Sequence, residues 1–254
     1  DSFGGWKCDG KGDQFPITAK IVIDASGVAA VCSRLVKTVG DAPLNPKGKV
    51  VAGMQYEMLD VPTDGYLDFY IWPKYAEKGY LWMIPKCEGR ANVGLVTEDK
   101  PRTKKALDEF IADTHFSGLE QSLPPWKEKG SPAFGGTIPI SGPFERTHHD
   151  GLMLVGDAAG FTSPLFEGGS HLALKSAVFA AQTAVKAISE GDLSSERLSE
   201  YTRLWKAEFP PYDKILRGKT ALFELSDDEM SVMATCFPDE MSDMGATGKA
   251  MVGF

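Results

Sequence analysis

The segment from residue 151 to residue 190 constrains the fold of this chain most strongly. Residues 151–155 form a short apolar run that predicts a buried strand, and a Gly-Asp-Ala-Ala-Gly turn follows it directly. From Ser170 onward alanines recur at helical spacing, up to Gly191, which predicts the end of the helix. A strand, a tight turn and a helix in this order are typical of an open α/β sheet, which binds ligands where its strands end.

Two features of this segment suit a polar ligand. Asp157 stands at the end of the predicted strand, where its carboxylate can accept hydrogen bonds from sugar-like hydroxyls. Gly168 and Gly169 precede the helix, where small residues let backbone N–H groups and the positive end of the helix dipole approach a phosphate or a polarised ring. A Gly-Asp pair alone is more often an ordinary turn, but the complete run favours a cofactor site.

The complete run, GLMLVGDAAGFTSPLFEGGSHLALKSA, resembles the flavin-contacting segment of the FAD-dependent reductase and hydroxylase superfamily, and within it the geranylgeranyl reductase family. The resemblance implies that Asp157, after Gly156, binds the ribityl chain of FAD. It further implies that Pro164 shapes the turn beside the isoalloxazine. Gly168 and Gly169 would then face the pyrimidine edge of that ring.

A second resemblance lies near the start of the chain. Residues 19–27 read AKIVIDASG, similar to the superfamily's strand that ends in small residues beside the dinucleotide. The resemblance implies that Gly27 lies near the cofactor, although many buried strands end in small residues before a turn. Arg34 occupies a position where the superfamily often has an arginine, and two placements stay open for it: near FAD, or on a solvated helix face.

A third resemblance lies in a β-rich region. Residues 49–96 contain apolar and aromatic runs separated by turn signals, which predict short antiparallel strands. Within them GYLWMIPK resembles the reductase family's Tyr-x-Trp-x-Phe-Pro element, with Ile84 in place of the usual Phe. Strand alternation puts Tyr80, Trp82 and Ile84 on one face, next to Pro85. This face would line an apolar channel for a prenyl chain, or form ordinary sheet core.

Candidates for acid–base chemistry are few. Glu167, beside the glycine pair, is the nearest acid in sequence that could donate a proton. His171, just inside the predicted helix, would either lie near the flavin or pack locally. The four cysteines are far apart, with no CxxC pair and no Cys/His cluster, so we expect neither a metal site nor a disulfide framework.

The predicted organisation is a mixed α/β (α+β) fold of the FAD-dependent reductase and hydroxylase kind. Residues 1–44 and 135–190 would form a partial FAD-binding domain, and residues 45–134 an antiparallel β substrate domain with one helix. Residues 191–254 would be a C-terminal helical region, in which Ser226 and Glu229 have the spacing of a capping box. The superfamily's strand–GxGxxG–helix unit is absent from this sequence. The chain is therefore expected to be a fragment of a longer protein, and the alternative is a protein that has lost tight FAD binding.

Charge and hydropathy argue against two classes of protein, those that bind nucleic acid through a basic surface and those that span a membrane. The 254 residues include 27 Lys and Arg against 35 Asp and Glu, a formal net charge of −8, which argues against binding nucleic acid through a basic surface. No apolar run reaches the roughly 18 residues of a membrane-spanning helix, and the first residues lack a signal-peptide pattern. A cytoplasmic protein is expected, with peripheral contact at a membrane if the substrate is a lipid.

The resemblance implies an FAD-dependent reductase that saturates double bonds of geranylgeranyl chains in lipid or prenyl precursors. Its partners would be an isoprenoid or prenyl-lipid substrate and an electron donor, NAD(P)H or ferredoxin. Two alternatives stay open: another flavoprotein dehydrogenase or hydroxylase of the same superfamily, and a prenyl-lipid-binding module without catalytic activity.

Overall fold

The computed structural model describes residues 3–8, 14–32, 49–113, 133–163 and 165–235. The strands are β1 (Phe3–Cys8), β2 (Gln14–Ala19), β3 (Val22–Asp24), β4 (Val50–Met58), β5 (Asp68–Tyr70), β6 (Tyr80–Pro85), β7 (Ala91–Thr97), β8 (Phe134–Pro139), β9 (His148–His149) and β10 (Leu152–Leu154). The α-helices are α1 (Thr103–Asp113), α2 (Ser170–Glu190), α3 (Ser195–Glu208), α4 (Tyr212–Phe223) and α5 (Asp227–Ala234). The predicted mixed fold, with an antiparallel sheet and C-terminal helices, is confirmed.

The chain divides into two compact units. One, called the discontinuous unit below, consists of Asp1–Pro46 together with Gly142–Phe254, and the other, the sheet unit, is Lys47–Ser141. Residues 135–141, grouped by sequence with the partial FAD-binding domain, lie in the sheet unit, because residues 135–139 belong to β8, which pairs with β4. The C-terminal helices belong to the discontinuous unit, since α3 packs on α2.

The discontinuous unit is built around a three-stranded sheet in the order β3-β10-β9. β10 is parallel to β3 and antiparallel to β9, and its residues are fully buried. On α2 the small side chains of Ala180, Ala184 and Ala187 face the core, which lets α3 pack closely. Tyr201 of α3 donates a hydrogen bond to the Leu154 carbonyl at 2.6 Å, tying this helix to β10.

The sheet unit has five antiparallel strands in the order β5-β6-β7-β4-β8. Helix α1 covers one face, where Leu107 and Phe110 pack with Met58, Leu81 and Leu95. The two ends of this unit meet, because β4 begins beside the end of β8. Ile140 N donates to the Lys49 carbonyl at 2.9 Å, and Lys49 N donates to Ser141 Oγ at 2.6 Å.

Candidate functional site

The parallel pairing of β3 and β10 brings together two turns that are distant in sequence, because each turn follows the carboxyl end of one of these strands. In the register, Leu152 lies opposite Val22 and Leu154 opposite Asp24, so both strands end at the same edge. Each strand leads into a 3₁₀ turn, Gly27–Ala29 after β3 and Gly156–Ala159 after β10, and the two turns lie side by side. The edge where ligands of parallel sheets bind therefore carries Gly27, Gly156 and Asp157 together.

The first turn is held by Asp24, which the sequence analysis did not single out. Its side chain is buried, with Oδ1 accepting from Ser26 N at 2.9 Å and Oδ2 from Cys32 N at 2.8 Å. Burial, and then the charge of Asp24, raise the pKa of the Cys32 thiol. Gly27 has φ +66°, and a Cβ there would meet no atom within 4 Å, so the turn presents its backbone to open space. The spacing of Asp24 and Ser26 is typical of an Asx turn, and it is the local sequence signal from which this turn could have been predicted.

The second turn lies directly against α2. Gly156 has φ +56°, and a Cβ at this position would stand 3.1 Å from the Cβ of Ala173. Its N–H donates to Ser176 Oγ at 3.1 Å. Glycine is required here because it permits the left-handed conformation and leaves room for the first turns of α2.

Asp157 combines partial burial with an open hydrogen-bonding capacity. Among the residues that the structure describes, nothing donates a hydrogen bond to its carboxylate. Burial raises the pKa of Asp157 above its ordinary value, because an ionised carboxylate loses hydration without compensation. A Cβ on Gly169 would stand 3.1 Å from Asp157 Oδ1, so the glycine lets the start of α2 approach the carboxylate.

The amino end of α2 offers backbone donors at the same place. Gly169 is the N-cap and provides no side-chain cap, and the first turn contains no acid. The first helical hydrogen bond runs from Ala173 N to the Gly169 carbonyl at 2.8 Å. The N–H groups of the preceding three residues thus have no acceptor within the helix, which makes this end suited to a negatively polarised group.

Residues 165–169, called the glycine turn below, lead into α2. Glu167 N donates to the Ser163 carbonyl at 3.1 Å, and Ser163 N to the Gly168 carbonyl at 2.8 Å, which closes the turn. A Cβ on Gly168 would meet no atom within 4 Å. The Glu167 side chain points into the protein and forms a buried ion pair with Lys219 of α4, a residue that no sequence motif indicated.

Of the three remaining site candidates, the structure describes one. His171 is exposed on the first turn of α2. Arg34 and Pro164 lie outside the described residues. Within the described ranges, no group of three or more His, Cys, Asp or Glu side chains is arranged to hold a metal ion. In the same part of the chain, every helix is too short or too polar to cross a bilayer.

The sheet unit carries the candidate substrate residues. Leu81 and Met83 of β6 face α1, whereas Tyr80, Trp82 and Ile84 lie on the opposite face, as the alternation predicts. This second face is called the aromatic face below. Its aromatic rings are in contact: Phe69 of β5 stacks on Tyr80 at 4.6 Å between centroids, and Tyr80 lies 5.8 Å from Trp82. Pro85 ends β6 and is half-buried.

A glycine determines how Trp82 lies on this face. Trp82 is opposite Gly94 on β7, and Gly94 is opposite Gln55 on β4. Trp82 Nε1 donates to Gln55 Oε1 at 3.2 Å, so the indole lies across Gly94. A Cβ on Gly94 would stand 2.5 Å from the Trp82 ring and 2.6 Å from Gln55 Cβ. Gln55 was not identified from sequence, because its relation to Trp82 depends on strand register.

Farther along the aromatic face, β4 and β8 carry facing glycines, and the Ile138 side chain lies over one of them, since a Cβ on Gly53 would stand 3.3 Å from Ile138 Cδ1. Gly53 of β4 lies opposite Gly136 of β8, and a Cβ on Gly136 would meet no atom within 4 Å. Phe134, two residues away along β8 and on the same face, is 53% exposed. Exposed aromatic and aliphatic side chains beside the open backbone position at Gly136 form a surface suited to an extended apolar chain.

Comparison with known proteins adds independent findings. Residues 49–123 match the family described as geranylgeranyl reductase catalytic domain. A digeranylgeranylglycerophospholipid reductase from Methanocaldococcus jannaschii is 36% identical over 91% of this chain and 58% of its own length. A second such reductase, from Methanothermobacter thermautotrophicus, is 33% identical over 84% of this chain and 53% of its own length. The chain thus spans a little over half the length of these relatives.

Solved structures agree in fold. A geranylgeranyl bacteriochlorophyll reductase-like protein from Thermoplasma acidophilum matches with a TM-score of 0.82 and 28% identity, covering 95% of this chain and 60% of that one. The flavin-dependent halogenase CmlS matches with a TM-score of 0.58 and 23% identity, covering 92% of this chain and 45% of its own. The second likeness concerns the fold alone.

Proposed function

This chain belongs to the geranylgeranyl reductase family, and from that premise we propose that it is part of an FAD-dependent oxidoreductase that reduces the double bonds of geranylgeranyl chains in lipid precursors. The observation that carries the proposal is the Asp157 carboxylate at the edge of the parallel sheet. Nothing that the structure describes donates a hydrogen bond to it, and it lies beside the uncapped amino end of α2. Asp157 is half-buried, so its carboxylate stays accessible to the hydroxyl donors of a ligand, and such donors would offset the hydration that it has lost.

The residues present fit a flavin. Asp157 would accept hydrogen bonds from the ribityl hydroxyls, which would offset the desolvation that raises its pKa in the absence of a ligand. The N–H groups at the start of α2, beside Gly169, would face the polarised carbonyl edge of the isoalloxazine. Gly27, on the neighbouring turn, leaves the open space that a dinucleotide passing this edge needs.

Each unit of the protein would serve a different part of the reaction. When bound, the flavin supplies hydride to one carbon of the alkene. Asp157 and the start of α2 would hold and orient the cofactor. The reacting ring is then already in position when the substrate binds, so no orientational entropy is lost during the reaction. The aromatic face, with Tyr80 and Trp82, would bind the isoprenoid chain and exclude water from it.

The proposed reaction also implies partners. Each double bond reduced consumes two electrons and two protons, so an external donor, NAD(P)H or ferredoxin, is required to reduce the flavin again. A prenyl-lipid substrate would be taken from a membrane surface, which we expect the protein to contact peripherally. The lengths of the two relatives are consistent with further parts of the same enzyme outside this chain.

The first test is the visible spectrum of the protein expressed from its complete coding sequence. We expect flavin absorption in the wild type and its loss or marked weakening in Asp157→Ala. Asp213→Ala is the matched control, since Asp213 is an exposed carboxylate on α4 of the same unit. If the wild-type protein remains colourless after FAD is added, the reductase proposal is wrong, and a lipid-binding module without a cofactor is favoured.

The second test concerns the substrate. The reduced holoenzyme is incubated with a geranylgeranyl ether lipid. Mass spectrometry of the product then gives its increase in mass, from which the number of reduced double bonds follows. Trp82→Ala should lower the rate mainly through a higher KM, because it removes chain contacts and leaves the flavin site intact. The flavin absorption of Trp82→Ala should equal that of the wild type, which verifies that its flavin site is intact. A lipid of unchanged mass with a flavin-loaded enzyme would favour another flavoprotein reaction of the superfamily.

A further inference from the structure

The buried ion pair between Glu167 and Lys219 joins the glycine turn to a helix 52 residues further along the chain. The Glu167 and Lys219 side chains are only 2% and 9% exposed. Burying two charges costs hydration free energy, which their mutual attraction repays only in a well-defined geometry. We propose that Lys219 is a positioning residue, which through Glu167 holds the glycine turn in the conformation that binds the cofactor. This inference rests on the proposed function.

The backbone of the glycine turn needs such a restraint. Glu167 has φ +48°, in the left-handed region that side chains other than those of glycine, asparagine and aspartate seldom adopt. A residue stays in this region when its surroundings hold it there. Two backbone hydrogen bonds, Ser163 N to Gly168 O and Glu167 N to Ser163 O, close the turn. The ion pair with Lys219 anchors its side chain from inside the protein.

Two glycines follow Glu167, and the second of them lies beside the Asp157 carboxylate. A Cβ on Gly168 would meet open space, and one on Gly169 would stand 3.1 Å from the Asp157 carboxylate. A change in the Glu167 conformation would move these two peptide groups relative to Asp157. The ion pair therefore fixes, from the interior, the spacing between the backbone donors of the turn and the carboxylate acceptor.

Helix α4 is suited to act as the anchor. Of its residues only Tyr212 and Lys219 are buried, and Tyr212 packs beside Gly142, 3.3 Å from where a Cβ would be. Lys219 is thus a buried residue of α4 whose side chain reaches the glycine turn. Its ammonium group also lies 5.7 Å from the centroid of the Phe223 ring, which restrains the lysine within its own helix.

The test uses three variants in the protein expressed from its complete coding sequence. Lys219→Met removes the cation, and Lys214→Met is the matched control, because Lys214 is an exposed lysine on the same helix. The double variant Glu167→Gln with Lys219→Met leaves no unpaired buried charge and should therefore fold even where the single variant does not. Affinity for FAD is measured by quenching of flavin fluorescence, and hydrogen exchange of the Glu167 peptide group by mass spectrometry without the cofactor.

We expect Lys219→Met to raise the Kd for FAD at least tenfold and to accelerate exchange at Glu167, with Lys214→Met unchanged. The double variant should be more thermally stable than Lys219→Met but bind FAD as weakly as that single variant, because charge balance alone does not orient the turn. Wild-type affinity in the double variant, or in Lys219→Met, would overturn the positioning role while leaving the proposed function intact. A wild type that does not bind FAD would overturn both.

Discussion

Gly94 offers the sharpest test of the aromatic face, because a single methyl group there meets three neighbours at once. A Cβ on Gly94 would stand 2.5 Å from the Trp82 ring, 2.6 Å from Gln55 Cβ and 2.6 Å from the Met54 carbonyl oxygen. The indole can swing away, but the other two atoms belong to the β4 backbone or are attached to it. The change Gly94→Ala should therefore displace Trp82 and strain the pairing of β7 with β4.

The expected cost follows from three contributions. Overpacking of this kind destabilises by about 1–3 kcal/mol. Loss of the hydrogen bond between Trp82 Nε1 and Gln55 adds about 1 kcal/mol. The reduced conformational freedom of alanine in the unfolded chain offsets about 0.5–1 kcal/mol. The free energy of unfolding should fall by about 2 kcal/mol, which lowers the Tm by roughly 4–8 °C in a protein of this size.

Calorimetric melting of Gly94→Ala and Gly136→Ala side by side measures this effect. Gly136 lies in the same sheet, but a Cβ there would meet no atom within 4 Å, so its replacement should leave the Tm unchanged or raise it slightly. Equal Tm values for the two variants would contradict the reasoning, since they would mean that the indole does not lie across Gly94. Addition of Trp82→Ala should recover part of the loss in Gly94→Ala, because it removes one of the three clashes.

Two predictions concern pH. Burial raises the pKa of Asp157, so the cofactor-free folded state holds more protons than the unfolded state and loses stability as pH rises through and above the ordinary aspartate value of 3.8. Asp157→Asn should therefore melt higher than the wild type at pH 7 without FAD, and the difference should shrink toward pH 4. Burial lowers the pKa of His148, whose Nδ1 lies 2.8 Å from Thr202 Oγ1, so stability should fall as pH drops below about 6.5. His148→Gln should flatten that fall in melting scans between pH 7.5 and pH 5.5.

Local pattern was sufficient for much of the fold. The helix ends at Gly191, which has φ +72°, and the capping box of Ser226 and Glu229 is present in both directions. Alternation along β6 separates Trp82 from Leu81 as expected. These features depend on residues within a few positions of one another, so periodicity and capping chemistry are enough to predict them.

Contacts between distant segments could not be predicted in the same way. Lys219 belongs to an amphipathic helix, in which a lysine is expected on the solvated side, and only the folded chain shows that its ammonium group reaches Glu167. Gln55 meets Trp82 because of the register of three strands, which the sequence does not specify. Asp24 lies in the run that was identified, yet its carboxylate was overlooked, because Asx turns compete with many other uses of aspartate.

The meeting of Lys49 with Ile140 has a consequence for the order of folding. β3 and β10 are separated by about 130 residues, and closing a flexible loop of that length costs about 4 kcal/mol of chain entropy. The sheet unit is continuous in sequence and can form first. Once it has formed, its hydrogen-bonded ends shorten the loop to about 35 residues, which removes about 1 kcal/mol of that cost. Early folding of the sheet unit thus assists the closure of the discontinuous unit, because it brings the two segments of that unit closer along the chain.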